Sequence, residues 1–411
     1  MNWEDTPEEA AFREQARDFI AASFPAEYQP DPDAEHSLEP EDVWGYNWPV
    51  DRVSEDAARR EGARKWSAAL AEKGWIAPAW PREHGGAGLS AMQEFILQEE
   101  MMRARVPAVN SIGALLLGPT LLEHGTAEQL AEHLPPIARG ERSWAQGFSE
   151  PGSGSDLASI RTRAVADGDH YVVTGQKVWT SLGQYADWLF VLVRTDTEAT
   201  PKHRGITFLL VDATSPGVTI RPIQDIRDSA PFAEIFLDDV RVPVANRVGE
   251  ENRGWYVAMT ALSFERAGIG ATVKFQQAVH QLIEYVTSEE GQRYLREELG
   301  MLRHEIAQRY TEVRVLYNLA RYTVSKQASG GVPGYEASVN QLFGAELAQR
   351  LARTGAKAFG PFAALWQRQD APLAAAFTHL RFDAVAATFL GGTTEIQRNV
   401  IATRGLGLPR G

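Results

Sequence analysis

Apolar positions along the 411-residue chain change their period twice. From the start to about residue 140 they recur at helical spacing, and two helix starts are written out. Thr6-Pro7-Glu8-Glu9 sets a capping hydroxyl three positions before a carboxylate, with proline at the first helical position, and Thr126-Ala127-Glu128-Gln129 repeats the box after Gly125. Residues 29–55, rich in Pro, Asp and Trp, show no clear period and read as a long loop or insertion at the surface. The pattern then shortens. HYVVTGQKVWTS, DWLFVLVRT, GITFLLVD, GVTIRPI and AEIFLDDVRV are short β-branched and aromatic runs between Gly, Asp, Pro and Ser clusters, which predicts antiparallel strands. No helical stretch separates them, so a doubly wound parallel sheet is not expected. From about residue 252 the helical period returns, over roughly 254–287, 293–327, 337–358 and 371–389, and predicts an antiparallel four-helix bundle. The fold class is therefore α+β multidomain: an N-terminal α-helical domain over 1–140, a middle β domain over 141–250 and a C-terminal helical bundle over 251–411.

Composition narrows the function. A hydrophobic fraction of 44% supports an ordinary globular core. The net charge of -13 gives no general field for nucleic acid, so a phosphate ligand would need a local site. The acidic opening MNWEDTPEEAAF resembles no secretory signal, and SIGALLLGPTLL is too short to span a membrane, so a cytoplasmic protein with no membrane partner is expected. There is no cysteine, and the nine histidines lack ligand spacing, which leaves no thiolate chemistry and points to no metal.

Four stretches are candidates for chemistry. In LSFERAGIG, Glu265 has Ala261, Leu262, Gly268 and Ile269 as its helical neighbours, and none can pair with it. Arg266 points about 100° away, so the two do not neutralise one another. Either they form ion pairs with a distant segment, or Glu265 is a desolvated carboxylate of raised pKa able to act as a general base. In QGFSEPGSGSD, Gln146 to Asp156, small residues make either a plain turn or a backbone that lets a flat or phosphate-bearing ligand approach. GSGSDL within it lacks the third glycine of a dinucleotide fingerprint. GQKVWTS puts Trp179 and Ser181 on one strand face, as ordinary packing or as a wall for an aromatic cofactor. In FLGGTTEIQRNVIATRGLG, a Gly-Gly-Thr-Thr turn opens a short helix, either capped and carrying a Glu395–Arg398 pair or open to a phosphate.

Together FSEPGSGSD, GQKVWTS, GGTTEIQRN and WPREHGGAG (Trp80 to Gly88) resemble the acyl-CoA dehydrogenase family of flavoenzymes, over essentially the whole chain. The resemblance implies FAD-dependent α,β-dehydrogenation of an acyl-CoA thioester to a trans-2-enoyl-CoA, with the α-proton taken by a carboxylate and the β-hydrogen leaving as hydride to flavin N5. It implies that Gln146, Phe148 and Ser149 hold the isoalloxazine, that Trp179 and Ser181 meet the flavin near N5, and that Gly391, Thr393 and Glu395 lie along the FAD phosphate and ribose. Ser155 and Arg266 would contact substrate. Many family members carry the base just before the Gly-Thr of the last motif, where this chain has Gly391; a minority place it immediately before the family's arginine, which is Glu265 here. Leu115 to Leu117 and Phe264 could line the acyl pocket or belong to the core.

The chain also departs from family homotetramers. Where those carry an arginine, a phenylalanine and glutamines that reach a neighbour's FAD, it reads TSEEGQRYLREELG (287–300) and GAKAFGPFAA (355–364), with Lys357 near the second glutamine's place. This resembles the larger, catalytic subunit of heterotetrameric bacterial enzymes, an α2β2 assembly or another homo- or hetero-oligomer, passing electrons to an electron-transferring flavoprotein. A flavin oxidase or monooxygenase on the same fold, and a catalytically silent structural subunit, are the rival expectations.

Overall fold

The computed structural model describes residues 4–28, 47–226, 229–265, 270–294, 299–330, 334–367 and 370–409, with the side chains at 264, 265, 270, 271, 294 and 299 outside that description. Both helix starts read from the sequence form. Thr6 and Glu9 cap α1 (Pro7–Ser23) reciprocally, and Thr126 and Gln129 do the same for α6 (Ala127–Ala138). Phe12, Ala16 and Ile20 of α1 are buried at four-residue spacing, the stripe that docks it on α4 (Ala91–Arg103). Gln129 does more than cap: its Nε2 donates to the carbonyls of Ala245 and Arg247 at 2.7 and 2.9 Å, tying α6 to the far end of the sheet.

The expected surface loop at 29–55 is corrected in part. Residues 29–46 lie outside the described residues, but α2 (Trp48–Asp51) is a helical turn whose Trp48 is buried, its indole donating to Ser67 Oγ on α3 (Ala57–Glu72) at 2.6 Å. Trp80 is likewise buried and donates from its indole to the Ala114 carbonyl at 2.9 Å. Residues Ile112–Leu117 wind as a π-helical segment and run directly into α5 (Gly118–His124). A Cβ on Gly118 would lie 1.6 Å from the Trp80 ring, so glycine is what lets the indole lie flat against that turn.

The sheet comprises β1 (Trp144–Gly147), β2 (Arg163–Asp167), β3 (His170–Ser181), β4 (Trp188–Arg194), β5 (Ile206–Asp212), β6 (Val218–Ile223), β7 (Phe232–Pro243) and β8 (Arg247–Val248). The order is β6-β7-β3-β2-β4-β5-β8, with β1 beside β4. Most pairs are antiparallel as expected, but β1 runs parallel to β4, and β2 meets β4 in parallel at Arg163 and Arg194. The five long strands follow the apolar runs; β1, β2 and β8 are too short to carry a period of their own. Alternation sorts the two faces. Phe190, Leu192, Phe208 and Leu210 join the core shared with the N-terminal helices, while Leu189, Val191, Val193, Leu209 and Val211 form a separate core with Ile235 and Leu237.

The C-terminal helices are α7 (Gly254–Glu265), α8 (Gly270–Thr287), α9 (Glu289–Tyr294), α10 (Leu299–Ala328), α11 (Glu336–Phe359), α12 (Ala376–Ala386) and α13 (Thr394–Val400). The stretch expected as one helix over 254–287 is described as α7 and α8, with 266–269 outside the described residues. The last helix is shorter than 371–389, because Leu373, Ala374 and Ala375 take left-handed backbone and α12 starts only after them. α8, α10, α11 and α12 pack around a core of Leu282, Leu316, Leu347, Leu351, Phe359 and Phe377. α7 stands apart from that bundle. Its first residue abuts β5, where a Cβ on Gly254 would sit 2.4 Å from the Phe208 nitrogen, and its body packs on the π-helical segment and α5.

Candidate active site

Two of the four candidate stretches meet at the end of β3. β3 pairs with β7 until Lys177, where the register slips, and resumes at Thr180 opposite Ala233. The slip is a bulge, and Trp179 within it has φ +63°. Left-handed backbone on a bulky residue costs on the order of 1–2 kcal/mol and persists only when its surroundings hold it. The indole is 59% exposed, with one edge against Phe232 at a ring separation of 6.1 Å. Ser181 is exposed as well, while Thr180 between them is buried, so both residues of the expected face are open to solvent.

The Gln146–Asp156 stretch lies alongside. Gln146 is half-buried on β1 opposite Phe190 of β4. The Phe148 ring turns inward against Phe190 and Phe208 at 5.7 and 6.0 Å, so this residue serves the core with its side chain and can offer a ligand only its backbone. Ser149 is half-buried, and its carbonyl accepts from the Val178 N–H at 3.0 Å, joining the loop to β3 one residue before Trp179. Glu150 and Ser153 close a tight turn by exchanging backbone hydrogen bonds at 2.9 and 3.0 Å. Beyond it Ser155 is exposed, and Gly152 and Gly154 face open space. A short 3-10 turn, Leu157–Ser159, follows instead of a helix, so the dinucleotide fingerprint is absent in structure as well as in spacing.

The third stretch sits on the bundle. Gly391 and Gly392 have φ of +63° and +97°, and Thr393 caps α13 by accepting from the Ile396 N–H at 3.2 Å. Gln397 Nε2 donates back to the Gly391 carbonyl at 3.0 Å and holds the turn closed. Of the two alternatives for this turn, the Glu395–Arg398 pair is present only as a charge interaction, since Arg398 closes its ion pair with Glu346 on α11. Glu395 is exposed; its own backbone N–H and then the Thr394 and Thr393 hydroxyls hold its carboxyl below the ordinary carboxylate range. The described contacts of this turn run to α11 and do not link it to the β3 bulge.

The remaining candidates lie toward α7. Glu265 is the last residue of α7, but its side chain and that of Phe264 lie outside the described residues, and Arg266 lies outside them altogether. Leu116 and Leu117 are buried and Leu115 is half-buried on the π-helical segment against which α7 packs. Lys357, near the place of a family glutamine, pairs with Glu305 at 2.5 Å. Two residues not singled out from the sequence lie under the bulge: Lys177, fully buried, and Glu150, 2.8 Å from its ammonium. Their closeness in the two motifs was visible; their contact across 27 positions was not.

Comparison with known proteins decides the family. Sequence profiles for the acyl-CoA dehydrogenase N-terminal, middle and C-terminal domains match residues 49–141, 145–240 and 252–406. The acyl-CoA dehydrogenase IpdE1 of Mycobacterium tuberculosis is 38% identical over 361 residues, covering 85% of this chain and 89% of that one. The chain belongs to the acyl-CoA dehydrogenase family. Among solved structures, the Tcur3481-Tcur3483 steroid acyl-CoA dehydrogenase aligns with a TM-score of 0.84 at 29% identity, covering 100% of both chains. The ChsE4-ChsE5 complex of Mycobacterium tuberculosis aligns at 0.82 and 33% identity, again over 100% of both. Acyl-CoA dehydrogenases are FAD flavoproteins, and the architecture seen here, helices then sheet then helical bundle, is theirs.

The residues present fit that cofactor. An exposed indole held on a bulge beside an exposed hydroxyl can cover and hydrogen-bond a flat heteroaromatic ring. Thr180 Oγ1, buried beneath them, has no hydrogen-bond partner among the described residues, an arrangement that marks this strand end as polar and incompletely satisfied.

Proposed function

We propose that this acyl-CoA dehydrogenase is a catalytic subunit that introduces the α,β double bond into a bulky or steroid-derived acyl-CoA, with Glu265 as the base that removes the α-proton. The observation that carries the reading is the Trp179–Ser181 rim on a strained bulge, flanked by the Phe148–Ser155 loop. A chain kept only to support a partner would have no use for backbone strain at that spot. Trp179 and Ser181 would hold the isoalloxazine of FAD with the backbone of Phe148 and Ser149 and with Gln146, while Gly391, Thr393 and Glu395 would lie along the pyrophosphate and ribose. FAD, when bound, supplies the two-electron acceptor for the β-hydrogen.

The protein's share is to orient the thioester and accept the α-proton. Glu265 closes a helix seated between β5 and the π-helical segment, near the sheet and away from the bundle core. Gly391, at the family's other base position, has no carboxylate to offer. In a water-poor cleft a glutamate shifts from ~4.3 toward neutrality, which suits it to proton abstraction. Ser155 and Arg266 would meet the CoA and thioester parts of the substrate, and Leu115 would line the acyl pocket. Support for a bulky acyl group comes from the steroid dehydrogenase among the solved relatives, and support for a heteromeric assembly from the two-component complexes there. Electrons would leave through an electron-transferring flavoprotein.

Anaerobic reduction of the bound flavin by a panel of short, branched, dicarboxylic and steroid-derived CoA esters tests this reading. Bleaching by the bulky members supports it. Bleaching by none, or rapid oxygen consumption independent of an electron-transferring flavoprotein, would replace it with the silent-subunit or oxidase reading.

A further inference from the structure

The buried pair beneath the bulge joins the two halves of the rim. Lys177 Nζ donates to Glu150 Oε1 at 2.8 Å and to the Phe148 carbonyl at 3.2 Å. Glu150 is fixed in turn, accepting at Oε2 from the Arg161 N–H at 2.6 Å and at Oε1 from the Thr162 N–H at 2.9 Å. The lysine stem crosses β1 at Gly147, where an added Cβ would come 3.5 Å from Lys177 Cγ. Each end of the pair therefore lies one or two residues from a rim residue: Ser149 beside Glu150, and Trp179 two beyond Lys177. The Val178 N–H to Ser149 carbonyl bond runs between the same two segments.

We propose that Lys177 and Glu150 are positioning residues: their buried ion pair clamps the 148–150 loop to β3, and so holds Trp179 and Ser181 in the bulged geometry that faces the isoalloxazine. This deepens the cofactor reading above and rests on it. An apolar pair could fill the same space, but it would not fix the direction of approach, whereas an ammonium with two oxygen acceptors and a carboxylate with three donors have one low-energy arrangement. Burial pushes the Lys177 amine down and the Glu150 carboxylate, with its hydrogen bond, pushes it back up, which leaves it at about 8. Burial raises the Glu150 carboxyl, but the Lys177 charge and the backbone donors outweigh that and hold it below the ordinary range.

The test uses the full chain and the variants Lys177→Met and Glu150→Gln, with Arg64→Met, which breaks an exposed pair with Glu61, as control. Glu150→Gln keeps size and one acceptor oxygen while removing the charge, so it remains informative if Lys177→Met fails to fold. Backbone amide exchange of residues 146–151 and 177–182 in the flavin-free chain should accelerate at least tenfold in both clamp variants and stay unchanged in the control. FAD affinity should fall at least tenfold, and at saturating FAD the visible spectrum and midpoint potential of the bound flavin should shift, which a loss of general stability alone would not produce. Exchange and flavin properties like wild type in folded Glu150→Gln would overturn the clamp. A wild-type chain that takes up no FAD either alone or assembled with its partner subunit would overturn the cofactor reading instead, and the exchange result would still decide the clamp.

Discussion

Trp179 carries a backbone cost that its own side chain recovers only in part, through its contact with Phe232, since it is 59% exposed. Trp179→Gly removes the left-handed strain, on the order of 1–2 kcal/mol, and adds the glycine entropy penalty of roughly 0.5–1 kcal/mol. Thermal unfolding is therefore expected within ~1 kcal/mol of wild type, while FAD titration should show at least tenfold weaker binding. A large loss of stability would mean that the indole serves the fold. Glu265→Gln is the complementary experiment: bound FAD is retained, and flavin bleaching by acyl-CoA is lost. Unchanged bleaching would remove Glu265 from the chemistry. At this scale the sequence is informative about residue type and silent about conformation. GQKVWTS shows an indole beside a hydroxyl, but neither the sign of φ at Trp179 nor the burial of Lys177 is written in seven letters, because both depend on β7 and on a loop elsewhere in the chain.

Elements were legible where a local rule decides them. The boxes at Thr6 and Thr126 give helix starts because the partner is three residues away, and β3 runs from His170 to Ser181 as its apolar run suggests. They were illegible where packing decides. Trp48 folds a helical turn inside a stretch with no period because its indole finds Ser67, and α12 begins late because left-handed residues precede it. The contact of Trp80 with Gly118 is of this kind and makes a sharp prediction. Gly118→Ala puts a methyl into the indole ring, and overpacking of this sort costs typically ~1–3 kcal/mol, readable as a lower midpoint in urea unfolding. A variant as stable as wild type would show that the segment has room to move.

Across the whole molecule, charge reinforces what the apolar core already joins, since Tyr317, Ala320 and Val324 of α10 share a core with the N-terminal helices. Arg13 of α1 bonds Glu99 and Glu100 of α4 at 2.8 and 2.6 Å and Asp5 at 2.6 Å, and Asp5 also pairs with Arg321 of α10 at 3.0 Å. These pairs add a charged seam to the contact between the N-terminal helices and the bundle. Burial raises the Asp5 carboxyl, but Arg13 and Arg321 outweigh it and hold it low, as Lys177 does for Glu150. A carboxyl lowered in the folded state contributes stability that is present above its unfolded pKa, ~4, and is lost as pH falls through the lowered folded value. The share of the urea midpoint that Asp5 and Glu150 supply is therefore expected to be full near neutrality and to be lost below about pH 4, and Asp5→Asn should remove part of that loss. Assembly makes the other large-scale prediction. If the chain needs a different partner to complete its cofactor site, size-exclusion chromatography of the purified chain will not show a tetramer with one FAD per subunit.

The π-helical turn at Ile112–Leu117 holds one residue more than an α-helix would use. Deleting a single position there would let the segment relax into ordinary winding without unfolding it, and would leave the residues on either side in nearly their present helical phase, because the wide turn had absorbed the extra position. Because α7 rests on this turn, one codon gained or lost would exchange the side chains that the wide turn sets against α7 while α5 beyond it kept its register.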